Sequence, residues 1–136
     1  MTKKLLEETL TPAFYEADAM GHINNTVIPM WFEKTRTPLF EFFIPDLDPA
    51  KWNLILVKIE VDYFAQVAYE YTVTIKTGIQ HIGNSSFIVR QEVWQKDKLC
   101  VRGQTTIVHF DYTKNKSQQI PAEIRNELEQ YFWPID

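Results

Sequence analysis

Cysteine is nearly absent from this 136-residue sequence, which has only Cys100. A single cysteine excludes an internal disulfide and every zinc site built on clustered cysteines, and it favours a reducing compartment such as the cytoplasm. Positive charge is also scarce, because 14 Lys and Arg stand against 18 Asp and Glu, for a net charge of −4. We therefore expect no nucleic-acid-binding surface and no attraction to an anionic membrane.

Long apolar runs are missing as well. No stretch reaches the roughly 18 apolar residues that a membrane-spanning helix needs. The first eight residues reach two glutamates after only two leucines, which does not predict a signal peptide. No repeat, low-complexity segment or Gly/Ser linker divides the chain. We expect a single cytoplasmic domain covering residues 1–136.

The sequence has ample material for a core, since 45% of its residues are hydrophobic and 14% are aromatic. Apolar residues recur at helical spacing over residues 26–43, which predicts a helix buried on more than one side. Pro29 fits within the first turn of that helix, where backbone N–H groups lack partners. Pro38 predicts a kink or a restart, with Thr37 as the new N-cap.

The remaining periodicities predict strands. A short first strand is expected over residues 5–16, with Pro12 placing it at a sheet edge or near its start. Alternation of apolar and polar residues predicts two half-buried strands over residues 55–63 and 71–76, followed by a hairpin of strands over 87–95 and 99–112. A closing amphipathic helix begins at Pro121 and presents Ile124, Leu128, Tyr131 and Phe132 on one face. This order predicts an α+β fold, an antiparallel sheet with a helix packed on one face.

The densest group of polar residues lies just before the predicted first helix, over residues 15–25. Asp18 precedes the free backbone N–H groups of a helix N-terminus, a natural place to polarise a carbonyl or hold an anion. A purely structural interpretation is equally available. Asp18 and Gly21 suit the first and fourth positions of a type I turn, and Asn24 or Asn25 suits an N-cap. Spacing alone leaves both interpretations open.

Residues 14–25, followed by the helical Trp-Phe-Glu-Lys-Thr-Arg of residues 31–36, resemble the 4-hydroxybenzoyl-CoA thioesterase-like branch of the hotdog superfamily. The signature of that family is an Asp, a small residue, any residue and a Gly, often followed by His-Val-Asn-Asn and a helical Glu-x-x-Arg. Residues 61–63 and 83–86 continue the resemblance over nearly the whole chain. The sequence differs from the family pattern at Ile28, where a Tyr is usual, and at Glu16, where an Asp is frequent.

This resemblance implies a hotdog fold, in which a curved antiparallel sheet wraps around a long central helix and a C-terminal helix follows. It also implies a homodimer or homotetramer whose strands can join across subunits. Asp18 corresponds to the catalytic carboxylate, and the backbone N–H near Asn25 to the group that polarises the thioester carbonyl. Gly21, which would allow close approach of the substrate, is expected in the substrate-binding pocket together with His22 and Asn24.

The implied activity is hydrolysis of an acyl-CoA or acyl-carrier thioester. Asp18 would attack the carbonyl to form a mixed anhydride or would deprotonate a water molecule that attacks it. A thiolate leaves readily, so the implied site needs no metal and no cofactor. Two alternatives stay open: a hotdog hydratase or dehydratase that uses an Asp and a His, and a non-catalytic acyl-binding module.

Other polar residues are expected to have structural roles. His81 and His109 show no metal-ligand spacing, and Cys100 has no neighbouring base that would activate it. Glu33 and Arg36 are spaced for a helical ion pair, with Glu33 as a minor alternative base.

Ser85 and Ser86 are expected to satisfy turn hydrogen bonds. Four basic residues could hold CoA phosphates but are expected to be solvated strand charges, namely Arg90, Lys96, Lys98 and Arg102.

Overall fold

The computed structural model describes residues 4–135. Its strands and helices, in chain order, are β1 (Leu6–Leu10), α1 (Val27–Thr35), α2 (Thr37–Phe40), β2 (Leu54–Tyr63), β3 (Val73–Ile82), β4 (Ser86–Gln95), β5 (Lys98–Asp111), β6 (Lys116–Ser117) and α3 (Ala122–Glu129). Five strands form an antiparallel sheet in the order β1-β3-β4-β5-β2, and β6 pairs with β5. The expected α+β class is confirmed. No helix within residues 4–135 is long and apolar enough to cross a membrane.

The two central hairpins follow the turn signals in the sequence. The Gly83 N–H donates to the Ser86 carbonyl (2.7 Å), and the His109 N–H donates to the Ser85 carbonyl (2.7 Å), so the serines take part in turn hydrogen bonds as expected. At the β4–β5 turn, Lys96 and Asp97 adopt φ angles of 51° and 62°. Positive φ at both central residues matches the right-handed twist of the flanking strands.

Helix α1 packs on one face of the sheet through Phe32, which is completely buried. Gly103 on β5 allows this contact, because a Cβ at that position would lie 2.5 Å from Cε2 of Phe32. A polar cluster ties the helix to the sheet beside this contact. The Gln91 Nε2 donates to the Phe32 carbonyl (3.0 Å) and lies 2.9 Å from the Thr35 hydroxyl and 3.0 Å from the Thr77 hydroxyl.

The first strand is shorter than predicted. It ends at Leu10 and pairs only with β3, so its position at the sheet edge is confirmed. Pro12 cannot donate to a ladder, and the chain beyond it folds into a 3-10 turn at Phe14–Glu16. The Glu16 side chain accepts a hydrogen bond from the Ala13 N–H (2.7 Å), which stabilises this turn.

The predicted helix over residues 26–43 is divided at Arg36 into α1, of nine residues, and α2, of four. Pro38 lies in the first turn of α2, as expected for a restart. Thr37 is not its N-cap, because it is already the first helical residue and its hydroxyl donates to the Glu33 carbonyl (3.3 Å). The long central helix is therefore two short helices in series.

The closing helix is also shorter than expected, since α3 ends at Glu129. Tyr131 and Phe132 lie beyond it, where the chain runs beside β3. The Ile79 N–H donates to the Tyr131 carbonyl (2.7 Å), and the Trp133 N–H donates to the Ile79 carbonyl (2.6 Å). Sheet pairing at this point ends the helix.

Strand β2 is not half-buried as its alternation predicted. It lies at the edge of the sheet opposite β1, and its middle is exposed on both faces. The exposed fractions of Leu56, Val57 and Ile59 are 46%, 54% and 40%. The predicted alternation holds only for the second half of the strand, because the pairing register shifts between Leu56 and Lys58. Before the shift Ile55 pairs with Val108, and after it Ile59 and Tyr63 pair with residues on the α1 side of β5. Helix α1 is too narrow to cover that face as far as the edge.

Arg90 and Arg102 are not the solvated strand charges that the sequence predicted, because both bind Glu92. The Glu92 carboxylate is buried and accepts hydrogen bonds from Arg90 (2.9 Å), Arg102 (3.1 Å) and the Trp94 indole (2.9 Å). Burial acts to raise the pKa of Glu92, but these donors outweigh it and hold the pKa below the ordinary glutamate value. Lys96 and Lys98 are exposed, as predicted.

The expected structural roles of His109 and Cys100 agree with their surroundings. His109 is buried, with Nδ1 3.1 Å from the Gln119 carbonyl. Cys100 is buried in the core under α1, and burial raises the pKa of its thiol. His81 is exposed beside an irregularity in the β3–β4 pairing.

Candidate active site

The segment that leads into α1 is fixed to the body of the protein by Glu16. Besides the Ala13 N–H, its carboxylate accepts a hydrogen bond from the Trp31 indole N–H (3.0 Å). Its backbone carbonyl accepts from the Asn24 N–H (2.9 Å). Glu16 thus connects the 3-10 turn, the loop before α1 and α1 itself. From the sequence, Glu16 was only a difference from the family pattern, where an Asp is frequent, and its role in these contacts was not predicted.

Asp18 organises a tight turn. Its carbonyl accepts from the Gly21 N–H (3.1 Å), and its own N–H donates to the His22 carbonyl (2.7 Å). Its Oδ1 accepts from the N–H groups of Met20 (2.8 Å) and His22 (3.1 Å). Within residues 4–135, Oδ2 has no hydrogen-bond partner. The structural role in the turn therefore occupies one carboxylate oxygen and leaves the other available.

Gly21 is required by backbone geometry. Its φ is +78°, a conformation that L-residues rarely adopt. An added Cβ would meet only Oε1 of Glu70, at 3.7 Å, so there is room for a side chain. Gly21 is not among the residues that line the cavity described below, and the expected close approach of substrate at this glycine stays a prediction.

Asn24 and His22 support the loop. The Asn24 Oδ1 accepts from the N–H (2.9 Å) and the hydroxyl (2.8 Å) of Thr26, and its carbonyl accepts from the Val27 N–H (2.9 Å). Asn24 thus caps the chain just ahead of α1, whose N-cap position is Thr26. His22 pairs through its backbone with Ala68. Neither side chain is among those that line the cavity.

Asn25 presents an unused donor at the start of α1. Its side chain is exposed, and its backbone N–H has no hydrogen-bond partner in the described part of the chain. Its carbonyl is held from the opposite side, because it accepts a hydrogen bond of 2.6 Å from the Tyr63 hydroxyl. The N–H is therefore free to bind a ligand, while the residue that carries it is fixed.

A cavity of about 560 Å³ brings Asp18 and Asn25 together. Its lining comes from the pre-helix loop, from α1 and from the end of β2 with the residues after it: Asp18, Ile23, Asn25, Ile28, Tyr63, Phe64, Ala65, Gln66, Val67 and Val101. Six of the ten lining residues are aliphatic or phenylalanine, but polar and apolar atoms contribute about equally to the wall. Such a mixed cavity suits a ligand with a polar carbonyl and an apolar extension.

The contribution of residues 63–67 to this cavity was not predicted from the sequence. Tyr63 ends β2, 38 positions away from Asn25 in the chain, and its hydroxyl is a donor there. The phenol of Tyr63 is protonated at neutral pH at its ordinary pKa, and partial burial raises that pKa further. Only the resemblance at residues 61–63 pointed to this end of the strand.

The other two candidates lie in a different cavity, which we call the Arg36 cavity, of about 250 Å³. Glu33 and Arg36 both line it, and neither lines the cavity of Asp18. Within residues 4–135, Glu33 and Arg36 do not form the expected ion pair. No group of three or more His, Cys, Asp or Glu within residues 4–135 is placed to hold a metal.

Comparison with known proteins gives a consistent result. A family model described as the thioesterase-like superfamily matches residues 12–128. The structure of a predicted thioesterase from Bacillus stearothermophilus is 36% identical, with a TM-score of 0.93, and the match covers 98% of this chain and 100% of that one. No curated protein matches the chain.

More distant structures share the fold. A thioesterase from Thermus thermophilus complexed with coenzyme A and Zn is 19% identical, with a TM-score of 0.78, and the match covers 93% of this chain and 98% of that one. A variant of 4-hydroxybenzoyl CoA thioesterase complexed with 4-hydroxybenzoyl CoA is 16% identical, with a TM-score of 0.76, covering 91% and 98%. These matches confirm the expected hotdog fold.

Proposed function

The chain belongs to the thioesterase-like superfamily, and we propose that it is an acyl-CoA thioesterase that hydrolyses a thioester to a free acid and CoA. The observation that carries this proposal is the shared cavity, which is lined by both Asp18, with one carboxylate oxygen unpaired among the described residues, and Asn25, with an unpaired backbone N–H. Coenzyme A as the carrier is supported by the relatives with CoA or an acyl-CoA bound.

In the proposed reaction the Asn25 N–H donates a hydrogen bond to the thioester oxygen. Negative charge develops on that oxygen in the transition state, so a fixed donor stabilises the transition state more than the substrate. Asp18 either attacks the carbonyl carbon directly or takes a proton from a water molecule that attacks it. The carbon–sulfur bond then breaks, and CoA leaves as a thiolate. In the first route water hydrolyses the acyl-Asp18 anhydride, which releases the free acid and restores the carboxylate. In both routes the proton lost by the attacking water passes to the CoA thiolate.

The hydratase and acyl-binding alternatives have less support. A hydratase that uses an Asp and a His would need the imidazole in the cavity, and the His22 side chain does not line it. A pure binding module would not need an unpaired carboxylate oxygen beside an unpaired N–H.

The proposed assembly is a homodimer formed through β2, from which homotetramers can be built. The support is the row of exposed apolar side chains on an unpaired sheet edge. The proposed compartment is the cytoplasm, supported by a single, buried cysteine.

Replacement of Asp18 by Asn tests the catalytic assignment. The amide oxygen can still accept from Met20 and His22, so the turn is retained, but an amide is neither a nucleophile nor a base here. We expect kcat/KM for acyl-CoA, measured by thiol release, to fall at least about a hundredfold. The matched control is Asp97→Asn, an exposed turn position with φ of 62° that Asn tolerates. Equal activity of the two variants would reduce Asp18 to a turn residue.

A further inference from the structure

Arg36 is the most unusual polar residue outside the proposed site. Only 4% of its surface is exposed, yet its guanidinium has no hydrogen-bond or salt-bridge partner within residues 4–135. Its Nε and Nη1 are fully buried, and the Phe40 ring lies 5.9 Å from its Cζ. Three buried donors of a permanently charged group, one on Nε and two on Nη1, are thus left unused.

Such an arrangement is costly without an acceptor. Burial lowers the pKa of Arg36 from its ordinary value, and the charge of Glu33 offsets this only in part. Buried charges in proteins are ordinarily paired, because an isolated charge loses its hydration and gains nothing in return. The guanidinium therefore calls for an anionic or strongly polar acceptor that the described residues do not supply.

The Arg36 cavity is suited to an acceptor at the end of an apolar chain. Besides Arg36 and Glu33, its lining is aromatic or aliphatic: Phe40, Trp52, Leu54, Leu56 and Ile107. Glu33 is exposed and makes no salt bridge with Arg36, so solvent screens its charge. A carboxylate matches the fork of the guanidinium, and methylene groups match the walls.

In the proposed β2 dimer, this cavity lies beside a second copy of the proposed active site. Leu54 at the start of β2 lines the Arg36 cavity, and Tyr63 at its end lines the cavity of Asp18. A two-fold axis through the β2 edge pairs the two strands antiparallel, so the Leu54 end of one protomer lies next to the Tyr63 end of the other. Within one protomer, α1 separates Asn25 from Arg36 by roughly 15 Å at the helical rise.

We propose that Arg36 of one protomer binds the terminal carboxylate of an acyl group whose thioester lies at Asp18 and Asn25 of the other protomer. The preferred substrates are then CoA thioesters of dicarboxylic acids. This inference rests on the proposed function and deepens it by naming the acyl class.

Substrate pairs of equal length test the acyl class. Thiol release would be measured for a series from succinyl-CoA to suberyl-CoA, each compared with the monocarboxylic acyl-CoA that has the same number of carbons. We expect kcat/KM to favour the dicarboxylic member by at least about tenfold at the optimal length, in line with charge-assisted pairing. Arg36→Met should reduce this ratio to about one, whereas Arg36→Lys, which retains charge but not the fork, should keep part of it.

Mixing two variants tests which protomer supplies Arg36. Asp18→Asn and Arg36→Met impair both sites of their own dimers. After subunit exchange, half of the dimers are mixed, and each mixed dimer has one site with both defects and one with neither. We expect recovery of about a quarter of the wild-type activity on the preferred dicarboxylic substrate, from these statistics for a two-fold dimer. Native mass spectrometry would confirm that the variants dimerise and exchange.

The outcomes separate this inference from the proposed function. The acyl class is overturned if the wild-type enzyme hydrolyses monocarboxylic and dicarboxylic acyl-CoAs equally well at every length. It is also overturned if a dicarboxylic preference exists but neither Arg36→Lys nor Arg36→Met reduces it. No recovery in mixed dimers overturns the assignment to the partner. Absence of thiol release from every acyl-CoA overturns the proposed function, and the inference with it. The wild-type ratio decides the question even where Arg36→Met does not fold.

Discussion

At the scale of single residues, the proposed site obtains its hydrogen-bond donor from the backbone of Asn25 and its carboxylate from the turn at Asp18. Asp18 accepts two N–H bonds through Oδ1, which fixes the carboxylate without occupying Oδ2. Asn25 is fixed at its carbonyl by Tyr63, which leaves its N–H unpaired. Each residue is thus held by one polar group and presents the other, and this kind of preorganisation lowers the reorganisation required in the transition state.

Tyr63 is accordingly a positioning residue for the Asn25 N–H. Loss of its hydroxyl in Tyr63→Phe should allow the loop to move, lowering kcat about tenfold, the equivalent of roughly 1.4 kcal/mol, with a smaller change in KM. Tyr112→Phe is a matched control, because the Tyr112 hydroxyl donates to the Leu54 carbonyl (2.7 Å) at the opposite end of the same strand. Similar kcat values for the two variants would mean that the Tyr63 bond only stabilises the fold.

At the scale of secondary-structure elements, the position of α1 depends on a missing side chain in β5. Gly103→Ala would bring a Cβ to 2.5 Å from Phe32, a completely buried ring that has no space to move. We expect a loss of about 1 to 3 kcal/mol of stability, measured as a fall in Tm of several degrees. Gly83→Ala is the control, because its Cβ would meet the small, rotatable Ser86 side chain at 3.1 Å. Equal melting temperatures would contradict this account of the contact.

The long strands could be predicted from the sequence because alternation and turn chemistry are local signals. The turns at Gly83 and at Lys96-Asp97 fall where the sequence indicated. The break in the first helix was indicated only by Pro38, because the apolar residues after Arg36 continue a helical spacing although the backbone restarts at Thr37. Apolar periodicity records which residues are buried, not whether one helix or two bury them.

The site was predictable only where its residues are neighbours in the chain. Asp18 and Asn25 lie in one loop, and both line the cavity. Tyr63 and residues 64–67 reach the same cavity only because β2 pairs with β5 and ends beside the loop. Gly21, the turn partner of Asp18, was predictable as a residue type but not in its role, because a positive φ is a property of the folded backbone.

At the scale of the whole molecule, the two edges of the sheet differ in their exposure. The β1 edge is short, at five residues, and two of them are the charged residues Glu7 and Glu8. The β2 edge has ten residues, and its apolar side chains Leu56 and Ile59 are exposed on the α1 side of the sheet, because α1 does not extend as far as this edge. A long, apolar, unpaired edge favours association with a second strand, whereas a short, charged edge opposes it.

The assembly of the protein should therefore depend on β2. Ile59→Glu places a charge in the middle of the β2 edge, where a second copy would bury it, and should convert the oligomer to monomers in light scattering at micromolar concentration. Ile135→Glu is a matched control. Ile135 is the same residue type with the same exposed fraction of 40%, but it lies near the C-terminus and outside β2. If β2 forms the interface, only Ile59→Glu has the mass of a monomer. Thiol release from the preferred dicarboxylic acyl-CoA then falls too, because the Arg36 cavity is separated from the partner's Asp18 cavity. Retention of the oligomer by Ile59→Glu would exclude β2 as the interface.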